Sequence, residues 1–126
     1  MILGIGIDMM WVSEVRTAMA HYGNQYGEDI FTAEERSYCE STADPAQGYA
    51  ARFAAKEACM KAFGTGWSNG IEWTQIAVRN LPSGAPELSL SGAAAALAHD
   101  RGVGRCHVSL THTRELAIAE VLLESK

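Results

Sequence analysis

Glu57 and Lys61 stand four residues apart in "RFAAKEACMKAFGTG", residues 52–66, a run otherwise rich in alanine. In a helix, Phe53, Glu57 and Lys61 line one stripe spanning about 12 Å at ~1.5 Å rise per residue. An acid and a base so spaced can be a plain surface pair, worth a few tenths of a kcal/mol. They can equally hold a cation and an anion side by side. The small residues around them let other backbone come close, and Gly64-Thr65-Gly66 can present N–H groups to an anion. A further carboxylate, Asp8, follows "GIG" at residues 4–6. In a regular strand Leu3, Ile5 and Ile7 face one way and Ile2, Gly4, Gly6 and Asp8 the other. The glycines are either a packing lane ending in a turn residue, or a track along which the helix brings Glu57 near Asp8. Two carboxylates about 4 Å apart repel by roughly 4 kcal/mol at an effective dielectric of ~20, which a shared proton or a divalent cation relieves. Two protein oxygens, with water and phosphate completing the shell, suit Mg²⁺ rather than zinc.

A third stretch, "CHVSLTHT" at 106–113, puts His107, Ser109 and Thr111 on one strand face and His112 on the other. A strand histidine is ordinarily a satisfied structural residue. A Ser-His-Asp hydrolase lacks support, because no G-x-S-x-G elbow is present.

These residues need elements to hold them. The apolar opening reads as a buried strand, with Ser13 capping a helix over 14–22 that Gly23 ends. Thr32 and Glu35 have the capping-box spacing, predicting a short helix to about Cys39. Asp44-Pro45 starts a long helix, with Asp as cap and Pro at its first position, that stops at Gly64. "IEWTQIAVRN" and "APELSLS" read as strands around the turn-rich link 81–84. Ser91 caps a small-residue helix ended by Gly102, and "RCHVSLTHT" and "ELAIAEVLLE" form a hairpin over Thr113-Arg114. Strand, helices, then mostly antiparallel strands argue an α+β fold rather than a doubly wound sheet.

A length of 126 residues predicts a single domain, 1–126, with one core and no need of staples. The net charge of −5 argues against nucleic-acid binding, which needs a basic surface to release counterions. No apolar run reaches the ~18–20 residues of a membrane span. Three cysteines without zinc spacing read as reduced core thiols. With no leader pattern before "ILGIGID", a cytoplasmic protein is expected.

"GIGID" at 4–8, "RFAAKEACMKAFGTG" at 52–66 and "HVSLTHT" at 107–113 together resemble the three signatures of the bacterial holo-[acyl-carrier-protein] synthases, 4'-phosphopantetheinyl transferases. Order and separations match, "FTAEE" at 31–35 resembles that family's second helix, and the resemblance covers essentially the whole chain. It implies a mostly antiparallel sheet packed on a long central helix. It implies transfer of the phosphopantetheine arm of coenzyme A to a serine of an apo acyl-carrier protein, with release of adenosine 3',5'-bisphosphate.

By that resemblance Asp8 and Glu57 hold Mg²⁺, although Mn²⁺ also favours oxygen ligands. Lys61 binds the phosphates, and Glu57 or a metal-polarised water takes the serine proton. Gly64, Thr65 and Gly66 pack against the pantetheine and phosphates. Arg52 and His107 are candidates for the 3'-phosphate, with Ser109 and His112 nearby. It further implies a homotrimer with coenzyme A between neighbours, so that "RCHVSLTHT" of one subunit meets the metal site of the next. The family's first helix usually carries an arginine where this chain has Glu14, which leaves Arg16 as the candidate carrier-docking base. That departure leaves open a fatty-acid or a secondary-metabolic carrier. Two competing readings are a Mg²⁺-dependent hydrolase of coenzyme A or a related pyrophosphate, and a non-catalytic carrier-binding subunit.

Overall fold

A computed structural model describes residues 1–67 and 70–126. The chain runs β1 (Ile2–Trp11), α1 (Val12–Tyr22), α2 (Ala33–Glu40), α3 (Pro45–Phe63), β2 (Ile76–Asn80), β3 (Pro86–Leu90), α4 (Gly92–Asp100), β4 (Val103–His112) and β5 (Leu116–Ser125). An antiparallel sheet ordered β1-β5-β4 packs on α3, and β2 and β3 pair as a separate antiparallel ribbon. This is the α+β arrangement expected, a mostly antiparallel sheet on a long central helix.

Helix α3 buries 13 of its 19 residues, so it is a core rod rather than an amphipathic surface helix. Its alanines let β1 lie almost on its backbone. A Cβ at Gly4 would stand 2.0 Å from the Ala62 carbonyl oxygen, and one at Gly6 1.9 Å from that of Ala58. No side chain fits at either position. The glycine lane is real, and it ends in Asp8.

The strand is not buried on both faces, as its apolar run suggested. Ile5, Ile7 and Met9 are 60%, 59% and 60% exposed, because the strand alternates and α3 covers only the glycine side. A register shift between Ile2 and Gly4 leaves Ile2 exposed too, off the glycine face.

Caps follow the sequence with local exceptions. Thr32 and Glu35 close their capping box at 3.1 and 3.0 Å. Gly64 ends α3 at φ 76°, a left-handed conformation that suits glycine, and its N–H bonds the Met60 and Lys61 carbonyls. Ser13 does not cap α1, which begins directly after β1 with the Val12 N–H held by the Glu115 carbonyl at 2.8 Å. Asp44 occupies the cap position of α3, but its carboxylate is taken by Arg16 and Gln47. Ser91 likewise makes no side-chain cap, and Gln75 Oε1 accepts from Ala94 N–H at 3.3 Å in its place. The "IEWTQ" half of the expected second strand is a 3₁₀ turn over Trp73–Gln75, and pairing starts only at Ile76.

Behind α3, Lys56 is fully buried and donates to Glu35 Oε1 at 2.8 Å, to Ile76 O at 2.5 Å and to Trp73 O at 3.2 Å. Glu35 Oε2 accepts from the Val78 N–H at 3.0 Å. One ion pair therefore fastens α2, α3 and β2 together.

Gly6→Ala is expected to cost at least about 2–3 kcal/mol by overpacking, seen as a lower denaturation midpoint. Lys56→Met leaves Glu35 buried without its cation and should cost about 3–5 kcal/mol. Adding Glu35→Gln, which keeps the capping box, should recover a large part in the same urea titration. Equal midpoints for the single and double variants would contradict this account of the pair.

Candidate active site

Two elements meet at the end of the glycine lane. Lys61 Nζ donates to Asp8 Oδ1 at 2.9 Å and to the Ile7 carbonyl at 3.1 Å. Asp8 is only 20% exposed, whereas Lys61 is 55% exposed and reaches in from α3. Side chains of a helix lean toward its N-terminus, so the Lys61 ammonium lies back over the turn that carries Glu57. The register agrees: Gly4 faces Ala62 and Gly6 faces Ala58, so two residues further along β1 Asp8 comes alongside that turn. The plain surface pair of Lys61 with Glu57, one of the two readings of the sequence, gives way to a pair with Asp8. Glu57 is half-buried on the same stripe, one turn away.

The donor set fits a hard, oxygen-seeking cation. Asp8 already holds one positive charge, the Lys61 ammonium, on an exposed arm that can move aside. Among the described residues no cluster of three or more His, Cys, Asp or Glu forms, so a cation here relies on water and substrate oxygens beyond its two carboxylates. Gly64, Thr65 and Gly66 follow directly at the C-terminal end of α3, and Thr65 Oγ1 donates to the Gly66 carbonyl at 3.3 Å.

His107 and Ser109 stand on the opposite face of the sheet. His107 Nε2 is 3.1 Å from Glu124 Oε1 of the neighbouring strand, and that contact holds the Glu124 carboxyl below its usual range. Within one chain the sheet itself separates these residues from Asp8 and Lys61.

Arg52 does not sit with His107. It is 3% exposed, with Nη2 donating to Asn80 Oδ1 at 2.6 Å, Nη1 to the Gly48 carbonyl at 3.3 Å, and Cζ 4.4 Å from the Tyr38 ring centre. Its Nε is buried without a hydrogen-bond partner among the described residues. Arg52 lines a cleft of ≈ 450 Å³ with Tyr38, Asp44, Asn80, Gly84 and His112. His112 joins it because residues five apart on a strand take opposite faces, so it turns away from His107. Tyr38, Asn80 and Gly84 were missed in the sequence, since nothing local links α2 and the β2–β3 turn to α3. Arg16 forms a two-pronged pair with Asp44, at 2.8 and 2.5 Å, beside this cleft. Burial pushes the Cys39 thiol up to about 11 and the Cys59 thiol up to about 12, which disfavours their thiolates.

Residues 4–119 match the 4'-phosphopantetheinyl transferase superfamily. The chain belongs to that superfamily. A holo-[acyl-carrier-protein] synthase of Solibacter usitatus is 44% identical over 99% of this chain and 100% of its own length. One from Koribacter versatilis is 42% identical over 98% and 99%. Among solved structures, the holo-[acyl-carrier-protein] synthase of Neisseria meningitidis superposes with a TM-score of 0.90 at 29% identity, covering 99% of this chain and 100% of that one. That of Bacillus anthracis, crystallised in complex with CoA (3',5'-ADP), gives 0.82 at 34% identity, covering 100% and 99%. No described helix is long and apolar enough to cross a membrane.

Arg52→Ala should strand Asn80 and open the floor of the cleft, costing about 1–3 kcal/mol. An unchanged urea midpoint would show that the guanidinium is not anchored as described.

Proposed function

We propose that this superfamily member is a holo-[acyl-carrier-protein] synthase, which moves the 4'-phosphopantetheine of coenzyme A onto a serine of an apo acyl-carrier protein. The observation that carries this reading is the Asp8–Lys61 contact at 2.9 Å with Glu57 one turn away, two acids and one base gathered where a pyrophosphate and a cation need opposite charges.

In the reaction the serine Oγ forms a bond to the phosphorus bearing pantetheine, and the bond from that phosphorus to the bridging oxygen breaks. Adenosine 3',5'-bisphosphate leaves with the electron pair. Asp8 and Glu57 are the residues that would hold Mg²⁺. Bound there, Mg²⁺ supplies Lewis-acid neutralisation of the pyrophosphate. Lys61, released from Asp8 toward the phosphates, offsets the charge that builds on the leaving oxygen. Glu57, directly or through a water, accepts the serine proton. Gly64, Thr65 and Gly66 flank the phosphates at the end of α3.

The second half of the substrate site comes from another copy of the chain. His107 and Ser109 share the outer sheet face with Ile5, Ile7 and Met9, an exposed apolar stripe of the kind that marks an interaction surface. A homotrimer that covers this stripe brings His107 and Ser109 of one copy toward Asp8 and Glu57 of the next. Arg52 and His112 line one cleft, a cationic guanidinium beside an imidazole, which suits it to a phosphate of coenzyme A. Three free thiols accord with a cytoplasmic setting.

Incubated with coenzyme A, Mg²⁺ and apo-carriers, the protein should add about 340 Da to a carrier, as metal-assisted transfer of this group requires. Coenzyme A cleaved with the carrier mass unchanged would favour the hydrolase alternative. Asp8→Asn should lower the rate at least about 100-fold while the fold persists, a loss of about 3 kcal/mol in transition-state stabilisation. Activity that survives chelation of divalent ions would overturn the metal assignment.

A further inference from the structure

Phe53, Trp73 and Trp67 form an aromatic row. Trp73 stacks on Phe53 at 5.0 Å between ring centres and on Trp67 at 3.9 Å. Phe53 precedes Gly64 by eleven residues, about 16 Å back along α3. Two ring contacts carry the row from Phe53 to Trp67 over far less than that length, so the Trp67 indole folds back along the helix instead of running on from its end.

The row flanks the proposed reaction site. At about 100° per residue, Phe53, Glu57 and Lys61 form one stripe of α3, with Ala58 and Ala62 on one side of it and Lys56 and Met60 on the other. The first side is covered by β1, whose Gly4 and Gly6 lie against the Ala62 and Ala58 carbonyls. Trp73 stands on the second, where its carbonyl accepts from Lys56 Nζ at 3.2 Å. Glu57 and Lys61 therefore lie in a trough between the strand that carries Asp8 and the aromatic row.

Loop 64–66 begins at one end of that trough. Gly64 and Gly66 hold φ 76° and 65°, and glycine reaches many other conformations at little steric cost. The next residue is a large anchor: Trp67 packs, partly buried, against the core. Its Nε1 is buried without a hydrogen-bond partner among the described residues. A buried N–H left unpaired is unfavourable, so apolar packing holds the indole in place. Ordering a loop before its ligand arrives removes that ordering cost from binding.

Resting on the transferase reading above, we propose that Trp67 is a positioning residue: packed on Trp73, it holds loop 64–66 in the shape that receives the phosphates of coenzyme A. The buried Lys56, through the Trp73 carbonyl, secures the other half of the stack. Loss of Trp67 is then read in coenzyme A affinity rather than in turnover.

Trp67→Ala should raise the coenzyme A Kd, titrated without carrier, about tenfold, and the KM for coenzyme A alike, with kcat within about twofold of the unaltered protein. Trp67→Phe keeps a stacking ring and deletes the unpaired N–H, so it should bind as the unaltered protein does. A lower urea midpoint for Trp67→Ala at unchanged Kd would reduce Trp67 to a core residue and overturn the proposal. So would a Phe variant that binds no better than the Ala one. Should Trp67→Ala fail to fold, the unaltered protein decides: coenzyme A should move the Trp67 indole N–H resonance, assigned by its loss in Trp67→Phe, and an unmoved resonance overturns the proposal. Coenzyme A bound in a Trp67-dependent way with carrier mass unchanged would uphold the loop and sink the transferase reading. Carrier mass gain by Trp67→Ala at an undiminished affinity for coenzyme A would do the reverse.

Discussion

The fold hinges on two missing side chains. Gly4 and Gly6 let β1 settle against the backbone of α3 so closely that any Cβ would overlap a helix carbonyl. That contact fixes the height of the strand along the helix and delivers Asp8 to Lys61. The alanines of α3 are the matching half of the constraint. A larger residue at Ala58 or Ala62 would push the strand outward and open the pairing that the site requires. The strongest packing demand in the molecule is thus also the one that assembles its chemistry.

The buried pair of Lys56 and Glu35 works from the other side of α3. Taking two charges out of water costs several kcal/mol per ion, recovered only if every remaining donor and acceptor is satisfied. Here they nearly all are: Lys56 reaches two carbonyls besides Glu35, and Glu35 accepts two backbone N–H groups besides the lysine. Burial pulls the Lys56 pKa down, and the Glu35 charge opposes that pull. Because Lys56 precedes Glu57 in the chain, anchoring the one sets the roll of the helix that aims the other. The opposite sides of one helix therefore carry charge for different ends, structure behind and chemistry in front.

The sheet divides the remaining polar residues. Asp8 lies on its helix side, His107 and Ser109 on its open side, and Arg52 with His112 at a separate cleft. A single copy leaves its open side with exposed isoleucines and a methionine. Residues that the sequence analysis grouped into one site thus lie in several places within one copy of the chain.

Much of this was legible in the residues. The capping box at Thr32, the proline start and glycine stop of α3, the hairpin of β4 and β5 and the alternation of His107 with His112 all depend on neighbours a few positions apart. So does the lane Gly4, Gly6, Asp8, whose period of two is a property of any strand. What the sequence left undetermined were choices among distant partners. Lys61 had Glu57 one turn away, yet its ammonium goes to Asp8, 53 residues distant in the chain. Lys56, beside Glu57 in the chain, turns inward because α2, the turn at Trp73 and β2 arrive there with a carboxylate and two carbonyls. Arg52 found Asn80 and Tyr38 rather than His107, and Asp44 gave its carboxylate to Arg16 rather than to a cap. Local periodicity sets which way a side chain points, but only the packing of elements sets what it meets, since a buried charge takes whichever partner leaves fewest groups unsatisfied.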